Sequence, residues 1–407
     1  MEIFSIILVR GMTIRIVDNI YYVGVDDTTS DLFEGIWPIP NGVSYNAYLI
    51  LGDKKVLIEG GVKKAFSREF FNNVEELISL EDIDYIVVNH MEPDHSGTLP
   101  ELLRINKKAK IYITPFGSSL LKNFYGFESK NRVITVRKGD TLDLGDRKLV
   151  FIPTPGVHWP DSMATYETKN KILFSSDAFG TFGALNGRIF DDQIDLNYVL
   201  GEARRYFANI IGKFSSRALQ VISEIEKMDI EIIAPSHGPI WRKKPKNIID
   251  YYKKLSMQKP DEKILVVCGS MYGFTREAIA YITRRLAEER VRFSVIDPSR
   301  THPSYFLSEA WDSKIVVFGS PTYDGDIFPP VRIFLSYIQI KTLKNRYFGI
   351  IGSCGWAGGG YRKIVEILKN MNWELIEPIV EFKGRITSHD YSTIEQLISN
   401  IKHVLSV

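Results

Sequence analysis

The sequence has little cysteine and no long apolar run near its start. Only Cys268 and Cys354 are cysteines among 407 residues. Two thiols exclude a disulfide framework, a four-cysteine zinc site and an iron–sulfur cluster, and they favour a reducing, cytoplasmic compartment. The apolar stretch at residues 3–9 is too short to span a bilayer and lacks the basic flank of a signal peptide. It indicates either a first strand or an extension before a true start at Met12.

Net charge is also almost absent. The 51 basic and 49 acidic side chains leave a formal charge of +2. Such a chain has no strong field for holding nucleic acid or an anionic membrane. With 44% apolar and 25% charged residues the composition is that of a globular protein, and the length predicts two to three domains. No internal repeat or low-complexity tract is visible.

A polar segment with Pro260, residues 254–263, separates two differently patterned halves. We predict domains at residues 1–256 and 257–407. In the first, strands and helices come in blocks, which indicates a sheet-on-sheet sandwich with helices outside. In the second, apolar strands alternate with helices, which indicates a parallel sheet covered on both faces, of the doubly wound, flavodoxin-like kind. The predicted strands of this half are residues 263–269, 292–297, 314–319, 347–352 and 379–382.

A cluster of ligand-type side chains follows the predicted strand at residues 84–90. Its members are His90, Glu92, Asp94 and His95. Alternate residues of an extended chain point the same way, so the first three are expected to aim at one centre as the strand ends. Thr98 and Glu101 then fit a capping box that starts a helix at Leu99.

Three more loops, each just after a predicted strand or ending one, supply matching groups. These are His158, Asp177 and His237. Four imidazoles and three carboxylates suit two metal ions. The predicted sets are His90, Glu92 and His158 for one ion, and Asp94, His95 and His237 for the other, with Asp177 between them. A carboxylate-rich set without thiolates favours iron or manganese, and ligand type alone leaves zinc open.

The arrangement resembles the metallo-β-lactamase fold, whose usual motif is His-x-His-x-Asp-His. Here Glu92 stands in place of the second histidine, which is the mark of the flavodiiron protein family, and residues 35–50 are similar to that family's early strands. The resemblance implies an N-terminal metallo-β-lactamase-like αββα sandwich with a non-haem diiron centre. It also implies that the seven residues are the iron ligands.

The first strand of the second half runs into a loop that precedes a helix. The loop residues are Ser270, Met271, Tyr272, Gly273, Phe274 and Thr275. Hydroxyls and free amides at a helix N-terminus attract a phosphate. The pattern S-x-x-G-x-T after a first strand resembles the flavodoxin loop that holds the phosphate of FMN.

Two later loops belong to the same edge of the predicted sheet, where ligands of open α/β sheets bind. One contains Pro321, Thr322, Tyr323 and Asp324, and the other contains Ser353, Gly355, Trp356, Ala357, Gly358 and Gly359. We predict that Tyr323 and Trp356 flank an isoalloxazine ring while glycines let backbone amides approach it. Both cysteines are interpreted as structural.

The resemblance implies a cytoplasmic reductase of dioxygen to water, of nitric oxide to nitrous oxide, or of both. FMN would pass electrons from an external donor, rubredoxin or reduced F420, because two cysteines exclude a fused rubredoxin. In the family FMN and iron of one chain lie too far apart for efficient electron transfer. A head-to-tail homodimer, or a dimer of dimers, is therefore expected.

Two other functions compete with this hypothesis. A zinc-loaded two-metal hydrolase with an appended flavodoxin domain is one, and Glu92 argues against it. An electron carrier that uses only the flavodoxin half is the other, and the complete ligand set argues against that. The choice between dioxygen and nitric oxide stays open. We expect that choice to rest on residues behind the ligands, with Trp159, Tyr198 and Tyr206 as the candidates.

Overall fold

A computed structural model describes residues 13–406. The two alternatives for the start of the chain lie outside these residues. The chain forms two compact units. The first contains the described residues up to Tyr206 together with Ser216–Lys253, and the second contains Phe207–Ser215 and the chain from Lys254 onward. The domain bounds drawn from the sequence stay a prediction, and the assignment of Phe207–Ser215 was not foreseen.

The first unit is built on short strands that end in loops. They are β1 (Ile14–Val17), β2 (Ile20–Tyr22), β3 (Val25–Asp27), β4 (Leu32–Phe33), β5 (Trp37–Pro38), β6 (Val43–Tyr45), β7 (Tyr48–Ile50), β8 (Val56–Ile58), β9 (Tyr85–Val88), β10 (Lys110–Ile113), β11 (Val133–Thr135), β12 (Thr141–Asp143), β13 (Lys148–Pro153), β14 (Met163–Glu167), β15 (Ile172–Ser176) and β16 (Ile232–Pro235). One sheet has the order β1-β2-β7-β8-β9-β10-β11, and a second has the order β12-β13-β14-β15-β16.

The two larger sheets share one core. Apolar side chains of the first sheet, such as Tyr48 and Val87, cluster with Phe151 and Phe174 of the second, and all four are fully buried. Burying such side chains stabilises a fold by about 1.5–3 kcal/mol each. The sheet-on-sheet arrangement predicted from the strand pattern is therefore present, and strand ends of both sheets carry the candidate ligands.

Helices complete the first unit and the start of the second. They are α1 (Ser67–Glu75), α2 (Pro93–Ser96), α3 (Leu99–Ile105), α4 (Pro115–Tyr125), α5 (Leu196–Tyr206), α6 (Ser215–Ile225) and α7 (Pro245–Ser256). Helix α3 begins at Leu99 as expected, but the predicted capping box is wrong. Thr98 makes no side-chain cap bond, and its Oγ1 instead accepts a hydrogen bond from the Val62 amide at 3.1 Å.

The second unit is a doubly wound sheet. Its elements are β17 (Asp261–Cys268), α8 (Phe274–Glu288), β18 (Phe293–Ile296), α9 (Pro303–Asp312), β19 (Ser313–Tyr323), β20 (Asp326–Ile327), α10 (Pro329–Lys341), β21 (Tyr347–Cys354), α11 (Gly360–Lys369), β22 (Glu374–Leu375), β23 (Val380–Lys383) and α12 (Ser388–Ser406). Strands β18, β17, β19 and β21 lie side by side in that order and are parallel, and β22 and β23 both pair with β21 in parallel. This is the flavodoxin-like order, with its switch point between β17 and β19.

One segment between α5 and α6 belongs to this second unit. Residues Phe207–Ile211 form a π-helical turn. The Phe207 ring meets Trp311 with centroids 5.7 Å apart, and Asn209 Nδ2 donates to the Ser304 carbonyl at 3.2 Å. Short π-helical turns interrupt the regular α-helical ladder. The sequence predicts helices over residues 196–228, and the regular helices α5 and α6 of this stretch are separated where the chain packs against Trp311 and Ser304.

Within residues 13–406, no helix combines the length and the apolarity that crossing a membrane requires.

Candidate metal centre

All seven side chains singled out in the sequence come together in the first unit. The first group consists of His90, Glu92 and His158, and the second group consists of Asp94, His95 and His237. Asp177 lies with the first group, since one ligand atom from each of these four residues lies within 4.8 Å of the others. The second group satisfies the same limit. The segments that follow β9, β13, β15 and β16 carry these residues, so the strand ends bring them to one place.

The first group is tightly packed around the carboxylate of Glu92. Its Oε2 lies 2.9 Å from Nε2 of His158 and 3.2 Å from Nε2 of His90. The second group is held differently, because Asp94 lies in the short helix α2 and not in extended chain as predicted. Its two oxygens each lie 3.4 Å from one imidazole, Oδ1 from His95 and Oδ2 from His237.

Asp177 faces both groups with separate oxygens. Its Oδ2 lies 3.5 Å from Nε2 of His90 and 3.6 Å from Nε2 of His158. Its Oδ1 lies 3.2 Å from Nε2 of His95 and 3.4 Å from Nε2 of His237. If each group held a cation, this carboxylate would supply a donor oxygen to both.

The donor set fits a pair of metal ions. Several buried ligand atoms lack a hydrogen-bond partner within the described chain. They are both oxygens of Asp94, both ring nitrogens of His95, Oδ2 of Asp177 and Nε2 of His237. Burying such groups unpaired is costly, and a metal ion compensates that cost. Three carboxylates and four imidazoles without a thiolate suit iron, manganese or zinc.

The charges of the cluster shift its acid–base equilibria strongly. Burial alone would lower the pKa of His237, but the carboxylates of Asp177 and Asp94 raise it to about 10. Burial likewise opposes protonation of His90 and His95, yet neighbouring carboxylates raise the pKa of both. Conversely, burial would raise the pKa of Asp177, but the imidazoles hold it well below its usual range.

These shifts predict that metal binding releases protons. Without a cation, the neighbouring carboxylates favour the protonated form of three imidazoles, whereas a metal-bound imidazole must be neutral. We expect ferrous or zinc binding at pH 7 to release up to about three protons per chain, and the apparent affinity to rise with pH. Titration calorimetry in two buffers of different ionisation enthalpy measures this number. Binding without proton release would contradict the assignment.

Outer partners fix the orientation of the ligands. Asp161 Oδ2 accepts from the Met91 amide at 2.8 Å and lies 3.2 Å from Nδ1 of His90. Nδ1 of His237 donates to the Ser44 carbonyl at 2.7 Å. Such bonds turn the Nε2 atom of each ring toward the cluster and raise its basicity. The sequence reasoning missed Asp161, because a single aspartate in a turn has no pattern that distinguishes it from a capping residue.

Replacing Asp161 tests this positioning. We expect Asp161→Asn to weaken iron binding by about 10–100-fold, because the imidazole of His90 loses its anionic partner. Competition against a chelator measures the affinity. The matched control is Asp143→Asn, whose carboxylate is 62% exposed and lies 3.6 Å from Lys148. Equal affinities in the two variants would show that Asp161 does not position His90.

A second buried network lies behind the ligand loop and was also missed. Asn89 Nδ2 donates to Oε1 of Glu59 at 2.6 Å, and Thr165 Oγ1 donates to Oδ1 of Asn89 at 2.7 Å. All three residues are fully buried, and burial raises the pKa of Glu59 to about 7. This network ties the end of β8 to β14 directly beside His90. Only their three-dimensional proximity identifies these residues, which are far apart in sequence.

Of the three candidates for residues behind the ligands, two contact the cluster. Tyr206 donates from its hydroxyl to Oδ1 of Asp177 at 3.2 Å. Trp159 meets the His90 ring edge-on with centroids 5.0 Å apart. Tyr198 is 44% exposed. Ser236, which the sequence reasoning did not consider, donates to the same Asp177 oxygen at 2.8 Å.

A cavity of about 640 Å³ opens on this cluster. Glu92 and Asp94, one carboxylate from each group, form part of its wall. The other lining residues are Leu32, Phe33, Glu34, Gly35, Tyr45, Lys63, Lys64, Pro93, Gly97, Phe124 and Tyr125. Apolar and aromatic walls with two convergent carboxylates are typical of a site for a small molecule.

The three predicted flavin loops lie at the carboxyl ends of β17, β19 and β21 in the second unit. Their strands are in register, with Cys268 beside Gly319 and Pro321 beside Ser353. Ser270 Oγ accepts from the Gly273 amide at 3.1 Å, and the hydroxyls of Thr275 and Ser353 lie 2.8 Å apart. Gly273 has φ +97°, a conformation that favours glycine, and α8 begins at the next residue.

These loops fit a flat aromatic ligand with a phosphate. Tyr272 and Trp356 are 86% and 83% exposed, and Tyr323 is 42% exposed, so their rings are available for stacking. A side chain at Gly273 or Gly355 would meet nothing within 4 Å, which leaves room beside the loops. The individual flavin contacts stay a prediction.

Comparisons with known proteins agree with this geometry. Residues 43–238 match the family model described as ODP family beta lactamase. An uncharacterised protein of Methanocaldococcus jannaschii is 36% identical over 366 residues, which cover 90% of this chain and 92% of that protein. An anaerobic nitric oxide reductase flavorubredoxin of Escherichia coli is 34% identical over 370 residues, 89% of this chain and 77% of the relative.

Solved structures extend the likeness to nearly the whole chain. Rubredoxin oxygen:oxidoreductase of Desulfovibrio gigas has a TM-score of 0.91 at 30% identity, with 97% of this chain and 98% of that chain covered. A flavo di-iron protein mutant of Thermotoga maritima has a TM-score of 0.89 at 33% identity, with the same shares covered. The chain therefore belongs to the flavodiiron protein family of oxidoreductases, whose members carry FMN and a diiron site.

Proposed function

We propose that this protein reduces dioxygen to water, nitric oxide to nitrous oxide, or both. The observation that carries the proposal is Asp177, whose two oxygens face two separate ligand groups in a buried cluster. Support also comes from the names of the relatives, one a nitric oxide reductase and one an oxygen oxidoreductase. Glu92, in the place of a histidine, adds a hard anionic donor that suits iron in higher oxidation states.

We assign the two groups and Asp177 as the iron ligands and the three loops of the second unit as the FMN site. When bound, the irons would take up the gas and FMN would relay electrons to them. The chain's own part is positional. The outer partners keep Nε2 of His90 and of His237 directed inward, and the apolar walls of the cavity limit water around the carboxylates of Glu92 and Asp94.

We further propose an external donor, rubredoxin or reduced F420, a cytoplasmic location, and a head-to-tail homodimer or dimer of dimers. Rubredoxin is favoured as donor by the name of the Desulfovibrio gigas relative. Gel filtration combined with activity tests the assembly, and an active monomer at low concentration would contradict it. Reduction by each donor in turn, followed by the flavin absorbance, tests the donor.

Anaerobic stopped-flow of the reduced protein against each gas tests the function. The same sample needs an iron and FMN count. We expect about two irons and one FMN per chain, and reoxidation of the flavin by at least one gas. A protein that holds zinc, ignores both gases and turns over an ester would instead be the two-metal hydrolase.

A further inference from the structure

We propose that Trp159 is a reserve electron donor to the metal centre, oxidised in place of the ligand histidines when dioxygen arrives and the flavin is already oxidised. This inference rests on the proposed function, and it concerns what the protein does when electrons run short. The observation behind it is the placement of one partly exposed indole against two candidate ligands of the same group.

The contacts of Trp159 are edge-on and close. Its ring centroid lies 5.0 Å from that of His90, with the planes at 88°, and 6.0 Å from that of His158, with the planes at 67°. Both histidines belong to the first group. Indole is among the most easily oxidised side chains. When the metal site at the first group lacks electrons, Trp159 is therefore the neighbouring side chain that supplies them, through its ring contacts with the two histidines.

On its other side the indole contacts a residue that lines the cavity. The Phe124 ring lies 6.4 Å from it at 79°, is 43% exposed and lines the cavity. Trp159 itself is partly exposed, so its ring can pass a proton to water and can be attacked by water. An oxidised indole here is therefore accessible to the solvent, unlike one in the core.

The electrons of this step balance. Dioxygen needs four electrons and four protons to become two waters. Two ferrous ions supply two electrons, and an oxidised flavin supplies none. Trp159 supplies the other two when its ring takes up one water and loses two protons, which leaves a hydroxytryptophan. In sum, dioxygen, two ferrous ions, one indole and two protons give one water, two ferric ions and one hydroxyindole.

Tyr206 touches the cluster from the other side but is less suited to this role. Its phenol is fully buried and donates to Oδ1 of Asp177. Losing an electron would force its proton onto a candidate metal ligand, whereas Trp159 can release its proton to solvent.

The other tryptophans provide an internal control. Trp356 is 83% exposed and lies in a flavin loop, while Trp37, Trp241, Trp311 and Trp373 are at most 2% exposed. An oxidant that diffuses through solvent attacks the most exposed indole first. An electron deficit at the metal centre instead selects Trp159, which is less exposed than Trp356.

The experiment uses the iron- and FMN-loaded protein in water enriched in oxygen-18. It receives two reducing equivalents per chain, half of what dioxygen needs, followed by a pulse of dioxygen, and the cycle is repeated. Peptide mass spectrometry then locates added oxygen. We expect a mark on Trp159 several-fold above that on Trp356, with its oxygen derived from water. Supplying all four equivalents should reduce the mark several-fold.

The variant Trp159→Phe sharpens the test. We expect it to bind iron and FMN as the parent does, and its His90 and His158 peptides to carry several-fold more oxidation under the same cycles. Three outcomes would overturn this inference and leave the proposed function intact. They are equal marking of Trp356 and Trp159, added oxygen that derives from dioxygen, and an unmarked Trp159 in a protein that consumes dioxygen. Failure of the loaded protein to consume dioxygen would overturn the proposed dioxygen reduction, and the inference with it.

Discussion

Asp177→Asn is expected to abolish gas reduction and to leave FMN bound. The change keeps the shape of the side chain but removes the charge that faces both ligand groups. Replacing only an outer partner of a metal ligand already costs about 10–100-fold, so loss of the shared carboxylate should lower the rate by more than about 100-fold. Iron should fall below two per chain, because each group loses one anionic donor.

The measurement is an iron and FMN count beside stopped-flow with both gases. Asp192→Asn is the matched control, since that carboxylate is 27% exposed, pairs with Arg242 and lies outside both groups. It should keep both cofactors and the parental rate. Gas reduction that persists in Asp177→Asn would refute the metal-centre assignment, while loss of FMN from it would show that the variant misfolds more widely.

The second large effect concerns Arg346, which is 1% exposed in the second unit. Among the described residues its guanidinium donates to five backbone carbonyls, and burial lowers its pKa to about 9. The acceptors are the carbonyl oxygens of Gln258, Ala310, Trp311, Lys344 and Asn345. Arg346 therefore binds the C-terminal carbonyls of α9 and links this helix end to the loops that contain Gln258 and Lys344.

Arg346→Met should destabilise the second unit by about 3 kcal/mol or more, because it removes five hydrogen bonds from a charged donor, two to buried carbonyls and three to partly buried ones. Hydrogen bonds to charged groups contribute about 1.5–3 kcal/mol each. Urea unfolding followed by flavin release reports on this unit. The control is Arg284→Met, whose side chain is 67% exposed and 3.9 Å from Glu288, with an expected loss below about 0.5 kcal/mol. Similar midpoints for both variants would mean that the carbonyls find other partners.

The sequence predicted the two folds and the seven candidate ligands because both depend on local patterns. Strand periodicity marks where each chain segment ends, and the ligands follow at those ends. The outer residues escaped prediction for a physical reason. Glu59 and Asp161 act through partners that are 30 and 71 residues away, and nothing in their own neighbourhood distinguishes them.

The same limit explains two local errors. Thr98 has the sequence of a helix cap, but the amide of Val62, 36 residues earlier, occupies its hydroxyl. Asp94 continues the alternation of a strand, but Pro93 begins a helix, so the carboxylate reaches its group from a helical turn. In both cases a tertiary contact or a proline overrides a pattern that is correct by itself.

The segment Phe207–Ser215 belongs to the second unit but lies within the sequence of the first, which limits where the chain can be cut into two folded pieces. A cut at residue 256 would yield a front piece that still carries Phe207, Ile210 and Ile211, which are buried in the intact chain. The rear piece would lack the ring that packs on Trp311. A gene fusion, a domain exchange or a shortened expression version therefore has to treat the second half as two stretches of chain, since its core is encoded on both sides of the first half's last strand.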